Sequence, residues 1–188
     1  MAQNKTAAIF HGTGCDEHSF WIPWLKDKLE ETGYHVWTPS LPKHEDGFAH
    51  LDVWENTVIR DTTERHFNLI IGHSAGVPLT FRLLSSGNFS TDNALCVAGF
   101  LNPLEGMTPD HPTYPHGLDY PRIKEQGRKF TYIHSDNDPW GCLPTQGEAM
   151  RQAFGGILVT VTGEGHFGSE IFQQPYPEFP LLLAHCLL

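Results

Sequence analysis

The sequence has few basic residues. Lys and Arg number 12 against 22 Asp and Glu, so the formal net charge at pH 7 is −10 with neutral histidine. A chain with this charge repels the phosphate backbone of nucleic acids and the head groups of anionic lipids. We therefore expect neither a nucleic acid nor a membrane as the main partner, and small neutral or cationic ligands remain open.

Long apolar runs and paired cysteines are also missing. The run LLLAHCLL at 181–188 is too short to span a bilayer and is interrupted by His185. The first twelve residues contain one Lys and no apolar core typical of a signal peptide. The four cysteines form no C-x-x-C pair, which argues against a zinc knuckle or a dense disulfide framework. These absences predict a cytoplasmic protein with reduced thiols.

Six short apolar runs alternate with helical patterns along the 188 residues. The runs are 6–10, 34–37, 68–71, 94–101, 129–134 and 156–161. Strands that alternate with helices predict an α/β fold with a mostly parallel sheet covered on both faces. Chain length and a hydrophobic content of 39% fit one domain over residues 1–188.

Helices are predicted where apolar residues recur at helical spacing. Ser19 is the expected N-cap of the first helix, which ends at Gly33. The later helices are expected near 54–61, 79–86, 145–154 and 181–188. Residues 103–121 contain five prolines and two glycines, which predicts an irregular loop and a candidate lid or pocket wall.

A serine flanked by glycines follows the third apolar run. Residues 72–76 read GHSAG and fit G-x-S-x-G, in which the serine occupies a sharp turn between a strand and a helix. The run before it and the helical pattern after it are the expected context. Ser74 is therefore the candidate nucleophile, and the alternative is an ordinary glycine-rich connection with an incidental serine.

A serine hydroxyl is a weak nucleophile and needs a base. In enzymes that carry a G-x-S-x-G turn on a parallel sheet, the catalytic residues follow along the chain in the order serine, acid, histidine. This order leaves His166 and His185 as candidates for the base. His166 follows the last predicted strand in the sequence GEGHFG and is the expected base. His185 lies in an apolar helical end and is more simply a structural histidine.

Two aspartates follow the fifth predicted strand in the sequence SDNDPW. Either Asp136 or Asp138 can accept the Nδ1 hydrogen of the histidine and hold its tautomer, and only one can have that role. We favour Asp138, which precedes a proline, and Asp136 remains the alternative.

Backbone donors for an oxyanion are expected after the first strand, in the sequence HGTG at 11–14. The N–H groups of Thr13 and Ala75 are the candidates. The alternatives are an ordinary glycine-rich loop and a phosphate-binding loop. The second has little support because the chain contains no G-x-x-x-x-G-K-[ST] pattern.

Other aromatic and histidine residues carry weaker signals. The pairs His44/His50 and His111/His116 lack helical spacing and an obvious third ligand, so we interpret them as solvated and expect no metal or cofactor. Residues that are candidates for the pocket wall are His11, His73, Tyr114 or Tyr120, and Trp140.

Four motifs together give a family resemblance: HGTG, GHSAG, SDNDPW and GEGHF. They resemble the small α/β-hydrolase serine hydrolases related to retinoblastoma-binding protein 9 and the bacterial YdeN-like proteins, over nearly the whole chain. The resemblance implies a compact, six-stranded, doubly wound sheet and a triad of Ser74, Asp138 and His166. One departure is that Gly141 and Cys142 lengthen the acid loop by two residues, which keeps Asp136 as an alternative.

The sequence thus predicts a serine hydrolase that cleaves a small ester, thioester or amide through an acyl-enzyme, similar to the carboxylesterases of class EC 3.1.1. It requires a small acyl substrate and no cofactor. One alternative is a non-catalytic protein-interaction module that keeps the fold for binding a protein partner. Another is a peptidase or carbon–carbon hydrolase with the same triad, since fold does not determine chemistry.

Overall fold

A parallel sheet is the centre of the computed structural model, which describes residues 5–108 and 110–188. In these residues the sheet has six strands in the order β2-β1-β3-β4-β5-β6. All neighbouring strands are parallel. The strands are β1 Lys5–Phe10, β2 Tyr34–Trp37, β3 His66–His73, β4 Ser90–Val97, β5 Phe130–Ser135 and β6 Ile157–Val161. The predicted fold class is confirmed.

Helices cover both faces of this sheet. They are α1 Ile22–Glu31, α2 Leu51–Asp61, α3 Gly76–Ser85, α4 Tyr120–Gln126, α5 Pro144–Phe154 and α6 Pro180–Cys186. Buried side chains of α2 to α5 form one core with alternate strand residues such as Ile70. Those of α1 and α6 form a second core on the opposite face with residues such as Ile71. The inner strands β3, β4 and β5 are buried over most of their length, which explains their continuous apolar runs, whereas the edge strands β2 and β6 are largely half-buried or exposed.

The first helix begins later than predicted. Its N-cap is Trp21, which makes no side-chain capping bond, and Pro23 lies in its first turn, where a fixed φ favours helix formation. The Ser19 hydroxyl instead accepts a hydrogen bond from the Asp16 N–H at 3.0 Å and donates one to Asp16 Oδ1 at 3.0 Å. The prediction that Ser19 caps α1 was wrong, because Ser19 closes the turn before the helix.

The segment between β4 and β5 also differs from the prediction. β4 ends at Val97 and not at 101, because Ala98 turns the chain with a φ of +46°. α4 begins inside the segment 103–121, where the Arg122 N–H donates to the Asp119 carboxylate at 3.0 Å. The rest of that segment has no helix or strand in the described residues, and residue 109 lies outside them.

The strand order determines where a ligand can bind. The order reverses between β1 and β3, and in open parallel sheets the crevice for ligands lies beyond the carboxyl ends of the strands at such a point. The loops 11–14 and 74–75 follow these two strands. The helices of the described residues are all too short or too polar to cross a bilayer.

Candidate active site

Ser74 lies on the tight turn between β3 and α3. Its φ is +52°, a left-handed conformation that costs a residue with a side chain about 1–3 kcal/mol. Its N–H donates to the Val97 carbonyl at 2.9 Å, and its carbonyl accepts from the Val77 N–H at 3.0 Å. These main-chain bonds hold the strained turn at the end of the sheet.

The glycines of both loops are required by close contacts around Ser74. A Cβ at Gly72 would lie 2.6 Å from the Gly76 carbonyl oxygen, and a Cβ at Gly76 would overlap the Phe10 carbonyl oxygen. A Cβ at Gly12 would lie 2.9 Å from the Cβ of Ser74. The loops after β1 and β3 therefore pack against each other with no room for side chains at these positions.

His166 and Asp138 form a buried pair. The distance from His166 Nδ1 to Asp138 Oδ2 is 2.7 Å, and the two side chains are 7% and 0% exposed. The other carboxylate oxygen of Asp138 accepts the Trp140 N–H at 2.8 Å. Because a carboxylate accepts hydrogen bonds, Nδ1 carries the proton and Nε2 is left as the basic nitrogen of the ring.

Asp136 has a different position. Its side chain is exposed, and Oδ1 accepts the Gly163 N–H at 2.9 Å. Of the two aspartates in SDND, the structure brings Asp138 to His166 and uses Asp136 to hold the loop after β6. His185, the other candidate base, lies in α6 beside a separate surface pocket with Phe130 and Ile157.

The loop that carries His166 is held by side-chain amides. Gln174 Oε1 accepts the N–H of His166 at 3.0 Å and of Gly168 at 3.2 Å, and its Nε2 donates to the Glu164 carbonyl at 2.6 Å. Asn137 Oδ1 accepts the Gly165 N–H at 2.7 Å. The loop therefore has a defined conformation although it contains no helix or strand.

His73 supports the same loop from the end of β3. It is buried, and its Nε2–H donates to the His166 carbonyl at 2.8 Å. Burial, with a smaller effect of the neighbouring His166, lowers the pKa of His73 to about 3. His73 is therefore neutral near pH 7 and acts as a fixed donor.

A cavity of about 590 Å³ opens above Ser74 and His166. Thr13 and Trp140 contribute to its wall, together with Glu105 and Glu170. The large apolar side chains of the wall are Phe48, Phe100, Leu104, Met107 and Ile171. Its size suits a small molecule with an apolar part.

Two of the four expected pocket residues, His73 and Trp140, line this cavity, and two do not. His11 lies beneath the loop, where its Nδ1–H donates to the Gly12 carbonyl at 2.9 Å and its Nε2 accepts the Leu41 N–H at 3.2 Å. Tyr114 packs on the ring of His116, with centroids 4.9 Å apart.

Other residues of the segment 103–121 line the cavity where Tyr114 does not. They include His111 and Thr113. Tyr120, the alternative to Tyr114, packs on Phe154, with centroids 5.0 Å apart. Part of the proline-rich segment thus contributes to the wall of the cavity.

Two thiols also line the cavity. Burial raises the pKa of Cys15 to about 11 and holds that of Cys142 well above its usual value. Both are protonated near neutral pH, and a thiol reacts as a nucleophile through its thiolate. Ser74 is therefore the better candidate nucleophile in the cavity.

The expected oxyanion donors are the backbone N–H groups of Thr13 and Ala75. Within the described part of the chain, neither the Thr13 N–H nor the Ala75 N–H has a protein acceptor. Ala75 directly precedes α3, whose amino end carries a partial positive charge. In the same residues no hydrogen bond joins Ser74 Oγ to His166, although both line one cavity. Such bonds are often long without a substrate.

The chain is similar to a known protein family. A family model described as serine hydrolase matches residues 7–185. The chain belongs to the serine hydrolase family. No match was found among curated protein sequences.

Solved structures similar to this serine hydrolase family member share its fold. The ydeN gene product from B. subtilis is 21% identical, with a TM-score of 0.84 and 97% of each chain covered. Est1E from Butyrivibrio proteoclasticus is 13% identical, with a TM-score of 0.69, covering 98% of this chain and 87% of that one. A monoacylglycerol lipase from Paleococcus ferrophilus is 14% identical, with a TM-score of 0.63, covering 97% and 93%.

Sequence reasoning missed one important residue of this serine hydrolase family member. Gln174 belongs to no motif and lies eight residues beyond His166, in the stretch QQPYPEFP at 173–180, which contains three prolines. No local pattern identifies it, because its role depends on how the chain folds back. Asn137 had a signal, since it stands between two aspartates already selected as candidates.

Proposed function

We propose that this protein hydrolyses a small ester, thioester or amide through an acyl-enzyme formed on Ser74. His166 removes the hydroxyl proton, and Asp138 holds the required tautomer. The N–H groups of Thr13 and Ala75 stabilise the oxyanion. The observation that carries the proposal is the buried 2.7 Å bond from His166 Nδ1 to Asp138 Oδ2, in a cavity shared with Ser74.

The proposed reaction has two steps, formation of the acyl-enzyme and its hydrolysis. Ser74 Oγ attacks the substrate carbonyl carbon while His166 Nε2 takes the hydroxyl proton, and the resulting oxyanion accepts the two backbone hydrogen bonds. Collapse of this intermediate breaks the bond to the alcohol, thiol or amine, which receives the proton from His166. Water then attacks the acyl-enzyme by the same route and releases the acid.

The preferred substrate is an ester with a small apolar acyl group. The apolar walls of the cavity support this choice, because they favour groups that gain by leaving water. The similar fold of a monoacylglycerol lipase is in keeping with ester chemistry. The expected activity is thus carboxylesterase-like.

A fluorophosphonate probe tests the nucleophile. We expect the folded protein to be labelled at Ser74 and the Ser74→Ala variant to be unlabelled. Ser169→Ala is the matched control, because Ser169 lines the same cavity and its variant is expected to label normally. Mass spectrometry locates the adduct. Labelling at another residue would contradict the proposal.

Turnover of p-nitrophenyl acetate, butyrate and octanoate, with matching anilides, tests the chemistry. Hydrolysis of esters that is abolished in Ser74→Ala supports the proposed class. Preferential hydrolysis of anilides points to the peptidase alternative. If none of these substrates is hydrolysed and the protein binds another protein tightly, the interaction module is favoured. Cytoplasmic location and independence from cofactors remain predictions from the sequence.

A further inference from the structure

A cluster of metal-ligating side chains lies outside the catalytic site, in the loop before α2. The distance from His50 Nε2 to Asp46 Oδ2 is 2.7 Å, and from His44 Nδ1 to Asp46 Oδ1 it is 3.4 Å. The donor atoms of all three residues lie within 4.8 Å of one another. Asp46 is the third ligand that the sequence did not reveal for the pair His44 and His50.

The chemistry of these donors suits a divalent transition metal. Two imidazoles and a carboxylate are the ligands of many zinc, nickel and copper sites. The Asp46 carboxylate is held in place because its Oδ1 also accepts the Phe48 N–H at 2.9 Å. The rings of His44 and His50 stack with centroids 3.6 Å apart, which keeps both on the same side of the loop.

Competing partners for the carboxylate are few. In the described residues the side chains that contact the Asp46 carboxylate are those of His44 and His50, while the nearby Lys43 pairs with Asp16 at 3.5 Å. His50 is the N-cap residue of α2, and its side chain makes no capping bond. The cluster is also open to solvent, with side-chain exposures of 47%, 43% and 22% for His44, Asp46 and His50.

We propose that His44, Asp46 and His50 bind one divalent transition-metal ion of the zinc class, with water in the remaining positions. The ion bridges two imidazoles and a carboxylate whose donor atoms already lie within 4.8 Å of one another. It also ties together the ends of the short loop that contains Gly47 and Phe48, both of which line the catalytic cavity. The site is separate from Ser74 and does not depend on the proposed hydrolysis.

Titration calorimetry with zinc chloride, in a buffer that does not bind metals, tests the site. We expect one ion per chain for the wild type, and loss of this binding in the double variant His44→Gln/His50→Gln. His35→Gln is the control, because His35 is an exposed histidine on β2 and its variant is expected to bind normally. Circular dichroism checks that all variants are folded.

A second group of possible metal ligands provides a further control for the experiment. Asp138, Cys142 and His166 also lie within 4.8 Å of one another. They are buried, and the raised pKa of the Cys142 thiol opposes the thiolate that zinc requires. Cys142→Ala is therefore expected to leave zinc binding intact. Binding that survives the double histidine variant, or that is lost in Cys142→Ala, would overturn the proposal, as would a wild type that binds no zinc.

Discussion

Acidification from pH 7.5 to 5 is expected to destabilise the protein through its buried histidines. His73 is fully enclosed, and its pKa is lowered to about 3, mainly by burial. Burial also lowers the pKa of His11 and of His134. Because these groups bind protons more readily when unfolded, their stabilising contribution is present above the unfolded pKa and is lost as pH falls below it.

The size of the effect follows from the two pKa values of His73. With an ordinary pKa of 6.5 in the unfolded chain and about 3 in the folded protein, the linkage relation gives a loss of about 2 kcal/mol at pH 5. This is a substantial part of the ~5–15 kcal/mol by which a typical domain is stable. His11 and His134 add to the loss in the same direction.

Urea unfolding at pH 7.5 and pH 5, followed by circular dichroism, measures this loss. In His73→Gln the side-chain N–H can still donate to the His166 carbonyl, but the titrating group is gone. The difference between the two pH values should therefore shrink by about 2 kcal/mol. His35→Gln, an exposed substitution, should leave it unchanged. A wild type equally stable at both pH values, or a His73→Gln variant that loses as much as the wild type, would refute the reasoning.

Three further substitutions, two of them with a matched control variant, test the geometry of the candidate site. Asp138→Asn should lower kcat by about 10⁴-fold because the histidine loses its correct tautomer, whereas Asp136→Asn should change kcat little. Equal losses of kcat in ester assays of the two variants would contradict the assignment of the acid. Gln174→Ala should lower kcat by about tenfold or more with little change in KM, because a small misplacement of His166 is costly. The control Gln173→Ala should leave kcat unchanged. A change in KM alone would argue against a positioning role for Gln174. Gly72→Ala should destabilise the fold by about 2 kcal/mol or more in urea unfolding, since its Cβ meets a carbonyl oxygen; a variant as stable as the wild type would show that the turn can relax.

The parts of the fold that depend on local pattern were predictable from the sequence. Six apolar runs located six strands, and their alternation with helices implied the parallel sheet. α4 was missed because prolines usually interrupt helices, whereas Pro121 lies in the first turn, where proline is favourable. The end of β4 was placed too late for a similar reason, because an alanine gives no sequence signal for the left-handed backbone that Ala98 adopts.

The candidate site also contains residues that local sequence patterns predict and residues that they do not. Ser74, His166 and the two aspartates belong to motifs with a fixed relation to strand ends, so their position at one edge of the sheet followed from the chain order. The choice between the aspartates needed the actual path of the loop, which aims Asp138 at the imidazole. Asp46 and Gln174 could not be identified, because each acts through contacts that only the folded chain creates.

The bonds of Gln174 make the segment after His166 part of the proposed catalytic site. The segment that follows His166 is also fixed to α1, where the Trp21 indole N–H donates to the Phe167 carbonyl at 2.9 Å and Phe179 stacks on the Phe167 ring. A proteolytic cut or deletion before residue 174 would leave Ser74, Asp138 and His166 all present and yet remove the contacts that hold the His166 loop in place. In engineering this protein, the residues after 166 should be treated as conservatively as the motifs themselves.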